Sequence, residues 1–285
     1  MASGAALQTQ SHHDRLSQRN FDRLSRFIYQ YSGIKMPATK LTMLEGRLRR
    51  RLRATRIITF DGYCDYVFDD GGLESEMVHL IDAVTTNKTD FFREPKHFEY
   101  LREKALPDLA RRGIRRIRAW SSACSTGAEP YTMAMVMEAF LDTSADATYS
   151  ILATDLSTDV LEKARLGIYP TELVEPVPED LRRRFVLKAA NAVRREVRIT
   201  PYLRSKIGFA RMNLMDQRYN VGDPMHVIFC RNVLIYFDKE TQGKVLHRLC
   251  ECLEPGGYLF IGHSETIAGL NLPVRTVANT VLQRV

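Results

Sequence analysis

The chain has 285 residues, 45% of them hydrophobic and 26% charged, close to the globular averages of roughly 45–50% and about 25%, so wholesale disorder is excluded. Against a typical domain of ~150 residues, this length suggests one large domain or an ordinary one with a small companion. The net charge of +7 leaves nucleic acid, an anionic membrane or an acidic protein as partner classes. The longest apolar runs, such as Val227 to Cys230 and Val233 to Phe237, fall far short of the ~20 residues of a spanning helix.

In chain order, Met1 to His12 are small and polar, without the basic segment and apolar core of a secretory signal. A disordered tail over 1–15, in a cytoplasmic protein, is expected. Apolar residues then recur at helical spacing in Phe21 to Tyr31, Leu41 to Leu52, Phe60 to Phe68 and Leu73 to Ile81. Breaks fall at Ser32-Gly33, Thr55 to Thr59 and Asp69 to Gly72, which predicts a helical domain over 16–85. Its second helix is one-sided in charge: Lys40, Arg47, Arg49, Arg50, Arg51, Arg53 and Arg56 stand against the single acid Glu45. Leu41, Leu44, Leu48 and Leu52 form an apolar stripe, leaving an arginine-rich face that is either a solvated helix surface or a docking surface for an acidic partner.

A linker over 86–100 leads to residues 101–285, where the pattern changes. Short β-branched or apolar runs (Ile117 to Trp120, Tyr149 to Ala153, His226 to Cys230, Tyr258 to Ile261) alternate with helical stretches at Pro130 to Leu141, Asp159 to Leu166 and Lys239 to Leu253. Strand alternating with helix predicts an α/β domain with a mainly parallel, Rossmann-like sheet and right-handed crossovers. A basic, Pro-punctuated interruption, with hairpin-like alternation in Val193 to Thr200, reads as an inserted antiparallel β-subdomain at about 172–208. Five scattered cysteines and seven scattered histidines show no paired CxxC hooks, so reduced thiols and no metal site are expected.

In such sheets ligands bind beyond the carboxyl ends of the strands, where strand order reverses. After the first strand comes Ser121-Ser122-Ala123-Cys124-Ser125-Thr126-Gly127, a turn of small side chains that lets a ligand approach the backbone. With one glycine it meets neither the dinucleotide nor the P-loop pattern, which favours a nucleoside without phosphates. The second strand ends in Asp155, which suits a ribose diol or serves as a helix N-cap. Arg231 and Asn232 directly follow a buried strand and are expected in the cleft.

The strings TNKTDFFRE (Thr86 to Glu94), AWSSACSTGAEPYT (Ala119 to Thr132), ATDLSTDVLEKARLGIY (Ala153 to Tyr169), FCRNVLIYFD (Phe229 to Asp238) and LEPGGYLFIGHSE (Leu253 to Glu265) resemble those of the CheR family, the bacterial chemotaxis receptor methyltransferases. The resemblance covers nearly the whole chain except about the first fifteen residues. It implies an all-helical amino-terminal domain joined to a class I methyltransferase domain with a β-subdomain. It further implies S-adenosyl-L-methionine as cofactor, S-adenosyl-L-homocysteine as product, and methyl esterification of glutamates on the cytoplasmic helical bundle of methyl-accepting chemoreceptors.

The resemblance carries binding roles onto Asn87, Thr89, Arg93, Glu129, Asp155, Asn213, Leu214, Arg231 and Asn232. Glu129 would meet the ligand's ammonium and Asp155 its ribose, with Asn213 on the adenine edge and Leu214 on its face. Without the resemblance, Phe91-Phe92 reads as a core anchor and Arg93 as a surface residue. A glutamate with a pKa near 4.3 is already ionised at pH 7, so the reaction needs alignment rather than a strong base, and positioning can contribute up to ~7–11 kcal/mol. Arg93 and Tyr236 are the candidates to orient the incoming carboxylate; Arg93 could instead hold the cofactor's carboxylate, and Tyr236 could be a core aromatic. Arg47, Arg50, Arg51 and Arg53 would face the acidic receptor helix. The expectation is a monomer, recruited from the cytoplasm to membrane receptors, that neither binds nucleic acid nor inserts into the bilayer. The alternatives are a methyltransferase of another substrate such as nucleic acid, and a non-catalytic cofactor-binding signalling protein.

Overall fold

The computed structural model describes residues 14–142, 147–191 and 193–285. By contacts the chain divides into two units, 1–86 and 87–285. All but the last two residues of the expected tail lie outside the described residues. Asp14, expected in that tail, is tied down: its carboxylate accepts the Phe60 N–H at 2.6 Å.

The smaller unit is all helix among its described residues, with helices Gln18–Ser32, Leu41–Thr55, Phe60–Phe68 and Leu73–Val84 where the periodicity places them. Ser17 caps the first by accepting the Asn20 N–H, and Gly33 ends it in the left-handed region, as the short side chain and the missing Cβ allow. Leu24, Ile28, Leu44, Leu48, Phe60, Tyr63 and Leu80 are fully buried and form its core.

The larger unit carries β1 (Arg116–Ser121), β2 (Thr148–Asp155), β6 (Ile207–Arg211), β7 (Met225–Cys230), β8 (Leu253–Ile261), β9 (Val274–Ala278) and β10 (Val281–Arg284) in one seven-stranded sheet, ordered β6-β2-β1-β7-β8-β10-β9. Strands β6, β2, β1, β7 and β8 run parallel, while β10 is antiparallel to both β8 and β9. The chain steps outward from β1 through β2 to β6, then returns to β7 on the other side of β1. The switch point therefore lies between β1 and β7. Helix Ala128–Leu141 is buried along nearly its whole length, as a helix covering a sheet and itself covered must be. The carboxyl-terminal β9/β10 hairpin is the part of the main sheet that alternation did not announce.

A second, three-stranded antiparallel sheet joins β3 (Ile168–Pro170), β5 (Glu196–Ile199) and β4 (Val186–Lys188) in the order β3-β5-β4. The insertion is thus present with shifted limits. It starts before 172 and ends well before 208, because β6 belongs to the main sheet. The expected linker is also corrected. From Asn87 onward the chain goes with the larger unit, Pro95–Tyr100 is helical, and Phe91 and Phe98 are buried in the core of the sheet domain. Phe91 packs edge-on against Tyr169 at 5.1 Å, so the core-anchor reading of this residue holds. All five cysteines are unpaired thiols, and no helix among the described residues is long and apolar enough to cross a membrane.

Candidate active site

The turn after β1 is fastened on both sides. Ser122 N–H donates to the Phe229 carbonyl at the end of β7, and Cys124 N–H to the Thr154 carbonyl of β2, both at 2.9 Å. Gly127 closes the turn at φ +92, and a Cβ there would sit 2.9 Å from the Ala164 Cβ. This is the position where only glycine fits. Glu129 follows in the first turn of the helix, with Ser121 Oγ donating to its Oε1 at 2.7 Å.

Arg231 organises the site. It leaves β7 with its side chain only 2% exposed and pairs through Nη1 with Glu129 Oε2 at 2.9 Å and through Nη2 with Glu94 Oε2 at 3.0 Å. Nη2 also donates to the Arg93 carbonyl, and the guanidinium lies against the Phe98 and Phe229 rings. A planar fork of five donors suits this bridging. Asn232 Nδ2 donates to Glu94 Oε1 at 3.1 Å. Burial drives the Glu129 carboxyl above its ordinary range, against the opposing pull of Arg231 and Ser121. Burial pushes Glu94 in the same direction, but the Asn232 amide and Arg231 outweigh it and hold this carboxyl below its usual range.

The segment from Asn87 reaches the same edge of the sheet. The Asn87 carbonyl accepts the Ser125 hydroxyl at 2.8 Å. Among the described residues, six non-glycine residues have positive φ; Phe92, Glu94, Ser125 and Asn232 are four of them. Each such conformation costs on the order of 1 kcal/mol and gathers where surrounding contacts over-determine it. Thr89 and Arg93 are half-buried, and Arg93 Nη1 donates to the Lys88 carbonyl at 3.1 Å.

Asp155 ends β2 with its Oδ2 accepting Ser125 N–H at 2.8 Å and its Oδ1 accepting Ser157 N–H at 2.9 Å. The N-cap alternative is met only in part, because the cap of helix Thr158–Leu166 is Ser157, while Asp155 also grips the turn after β1. Met212 N–H donates to the Asp155 carbonyl at 3.0 Å, which sets Asn213 and Leu214 beside this strand end. Asn213 Oδ1 accepts the Met215 N–H at 3.0 Å, and Leu214 is 7% exposed. Tyr236 closes a short 3₁₀ turn, Leu234–Tyr236, and is half-buried rather than a core aromatic.

The arginine-rich helix needs the largest correction. Arg47 Nη1 donates to the carbonyls of Val84 at 2.6 Å and Thr85 at 2.8 Å, closing the end of helix Leu73–Val84. Arg51 forks onto Glu76, whose side chain is 6% exposed and which also accepts the Tyr63 hydroxyl at 2.9 Å. Arg47 and Arg51 therefore hold the helices together rather than pointing to solvent, while Arg50 and Arg53 are exposed.

Sequence reasoning assigned no role to Glu94, Ser121 or Glu265. Glu265 is buried, and its carboxylate accepts the N–H groups of Gly262, Leu234, Asn232 and Val233. Burial pushes it above its usual range against those donors. A Cβ on Gly262 would come within 2.9 Å of both Asn232 N and Glu265 Oε2. The available signal was an acid following each of two recognised stretches, Phe91-Phe92-Arg93 and Gly262-His263-Ser264. His97 and His263 also meet here, their rings 4.8 Å apart. His97 is pushed down to about 4 by burial first and by Arg231 second.

Residues 87–282 match the family described as CheR methyltransferase, SAM binding domain, and residues 19–85 match CheR methyltransferase, all-alpha domain. The chain belongs to the CheR family. A chemotaxis protein methyltransferase of Salmonella typhimurium is 41% identical over 256 residues, covering 90% of this chain and 86% of that protein. Chemotaxis protein methyltransferase 2 of Pseudomonas aeruginosa is 37% identical over 268 residues, covering 93% and 92%. Among solved structures, a magnesium protoporphyrin IX methyltransferase from Synechocystis with bound SAM superposes with a TM-score of 0.35 at 11% identity, over 77% of this chain and 91% of that one. That likeness is too slight to bear on the site. The CheR assignment makes S-adenosyl-L-methionine the cofactor of the domain that carries Glu129, Asp155 and Arg231.

Proposed function

We propose that this CheR protein transfers a methyl group from S-adenosyl-L-methionine to glutamate carboxylates on the cytoplasmic helical bundle of methyl-accepting chemoreceptors. The observation that carries the reading is the buried Glu94–Arg231–Glu129 chain at the switch point. Its two carboxylates and one guanidinium leave one negative charge in excess, which suits a ligand with cationic groups. The fit extends to Asp155 at the end of β2, where a ribose diol would lie, and to the small-residue turn that admits close approach. When bound, the cofactor supplies an electrophilic sulfonium methyl group.

The protein's own residues have the remaining tasks. Asn87 and Thr89, on the segment held to Ser125, line the cofactor side together with Asn213, Leu214 and Asn232. Arg93 and Tyr236 orient the incoming carboxylate, Arg93 through its guanidinium and Tyr236 through its hydroxyl donor. An ionised glutamate is already a nucleophile at neutral pH, and the site's own acids are committed elsewhere, Glu129 to Ser121 and Arg231 and Glu265 to backbone N–H groups. Alignment and exclusion of water therefore dominate the rate. Arg50 and Arg53 steer the acidic receptor helix toward the protein, which acts as a monomer recruited from the cytoplasm.

The test is methyl transfer from labelled S-adenosyl-L-methionine to receptor-bearing membranes, with alkali-labile label as the mark of an ester, beside titration with S-adenosyl-L-homocysteine. Arg50→Glu/Arg53→Glu should raise the KM for receptor by about tenfold or more and leave product affinity unchanged. Label on nucleic acid, or product binding without any transfer, overturns the proposal.

A further inference from the structure

His97 and His263 are 166 residues apart in sequence, yet His97 Nδ1, His263 Nε2 and a Glu94 carboxylate oxygen converge within 4.8 Å of one another. His97 is 1% exposed. Its Nε2 lies 2.8 Å from Thr280 Oγ1, and that hydroxyl donates its own proton to the Asn279 carbonyl at 2.7 Å. With that proton on Asn279, Thr280 Oγ1 accepts from His97 Nε2–H, the tautomer that leaves a lone pair on Nδ1. The buried Nδ1 has no hydrogen-bond partner and faces Glu94 Oε2 at 3.4 Å. In that tautomer two acceptors face each other inside the protein, beside the Arg231 guanidinium that pairs with the same oxygen at 3.0 Å, and a cation between them satisfies the open lone pair. His263 Nε2 stands 3.9 Å from the same oxygen, on a side chain 41% exposed that can close in from solvent.

We propose that Glu94, His97 and His263 form a binding site for a divalent cation of the zinc class, with water completing the coordination. Zinc takes imidazole nitrogens at ~2.0–2.1 Å and carboxylate oxygens at ~2.0–2.2 Å, which places neighbouring ligand atoms of a tetrahedral site roughly 3.3 Å apart. The His97–Glu94 spacing already meets that, and a small movement of His263 completes it. The ion takes the place on Oε2 that the His263 N–H holds at 3.3 Å. Thr280 is the outer partner that fixes the tautomer of a ligating histidine, the role that usually falls to a carboxylate or carbonyl. It sits at φ +55, in the turn between β9 and β10.

The test uses the full chain after dialysis against a chelator, titrated with Zn²⁺ against a chromophoric indicator and, separately, with Co²⁺ by visible absorption. Uptake of one equivalent with a Kd below about 1 μM, and Co²⁺ bands of four-coordinate intensity, are expected. His263→Ala, on the exposed side, should weaken binding at least 30-fold with the fold intact by circular dichroism. Thr280→Val should weaken it about tenfold, within the ~10–100-fold typical of such outer partners. No stoichiometric uptake by the parent chain overturns the site. So does uptake that His263→Ala leaves unchanged, which would place the ion elsewhere on the chain.

Discussion

Removing Arg231 is the sharpest test of the site's electrostatics. Arg231→Met keeps an apolar buried stem but deletes the guanidinium that lies against Phe98 and Phe229 and is the one cation shared by Glu94 and Glu129. At neutral pH, two largely buried carboxylates, 14% and 12% exposed, then retain Asn232, Ser121 and His263 N–H as hydrogen-bond donors. Breaking a buried pair by deleting one member costs about 3–5 kcal/mol. With a urea m-value of about 2 kcal/mol/M, the unfolding midpoint of the larger unit should fall by roughly 1.5–2.5 M. The pH dependence carries the sign. Glu129 is already raised by burial, and without Arg231 it rises further, so its folded pKa stands well above the unfolded value near 4.3. Such a group stabilises the folded state below the unfolded pKa and loses that contribution as pH rises through the folded one. The parent's Glu94 is held low, so its contribution is present above ~4.3 and is lost as pH falls. The Glu129 effect makes the gap between variant and parent largest at pH 7–8 and narrower toward pH 5, and the Glu94 effect narrows it further below ~4.3. A midpoint shift below about 0.5 M at pH 7.5, or a gap that widens on acidification, would refute the reasoning.

Other outcomes follow from single contacts. Arg51→Met strands Glu76 with the Tyr63 hydroxyl and should destabilise the helical unit by about 3 kcal/mol, the lower end for a buried pair because Arg51 is 18% exposed. Arg50→Met should change stability by less than about 0.5 kcal/mol in the same urea titrations. Gly127→Ala, forced to hold φ +92 with its methyl against Ala164 and the Tyr169 hydroxyl, should lose about 2–4 kcal/mol and weaken binding of S-adenosyl-L-homocysteine. Tyr236→Phe should lower kcat by about 10–100-fold, the worth of a hydrogen bond to a charged group, with little change in product affinity by calorimetry. Unchanged kcat removes Tyr236 from the site.

The strand ends were legible because each carries a local signature. The small-residue turn before Gly127 announced a ligand-facing loop, and an acid or an Arg-Asn pair directly after a buried run announced the cleft. The Glu94–Arg231 pair was not, because its members are 137 residues apart and only the return of β7 beside β1 brings them together. The same holds for His97 and His263, whose rings meet only in the folded chain. The basic helix failed for a different reason. Arg47 and Arg51 each precede a residue of the leucine stripe, so they sit on its border, where the stem of a long side chain lies along apolar surface and its head reaches across to a neighbouring helix. Arg50 and Arg53 lie farther round the helix. Counting charges without assigning each to its angle merged two populations into one face. The β9/β10 hairpin escaped notice because Val274–Ala278 and Val281–Arg284 are short and the first is partly exposed.

Glu265 grips the loop after β7 only through main-chain N–H groups, so the hold is indifferent to which side chains that loop displays. Val233 and Ile235, the latter 50% exposed, can be exchanged without loosening the bracket that keeps Asn232 and Tyr236 in register with the end of β8. A protein built this way can vary the surface of that loop while its main-chain frame stays put.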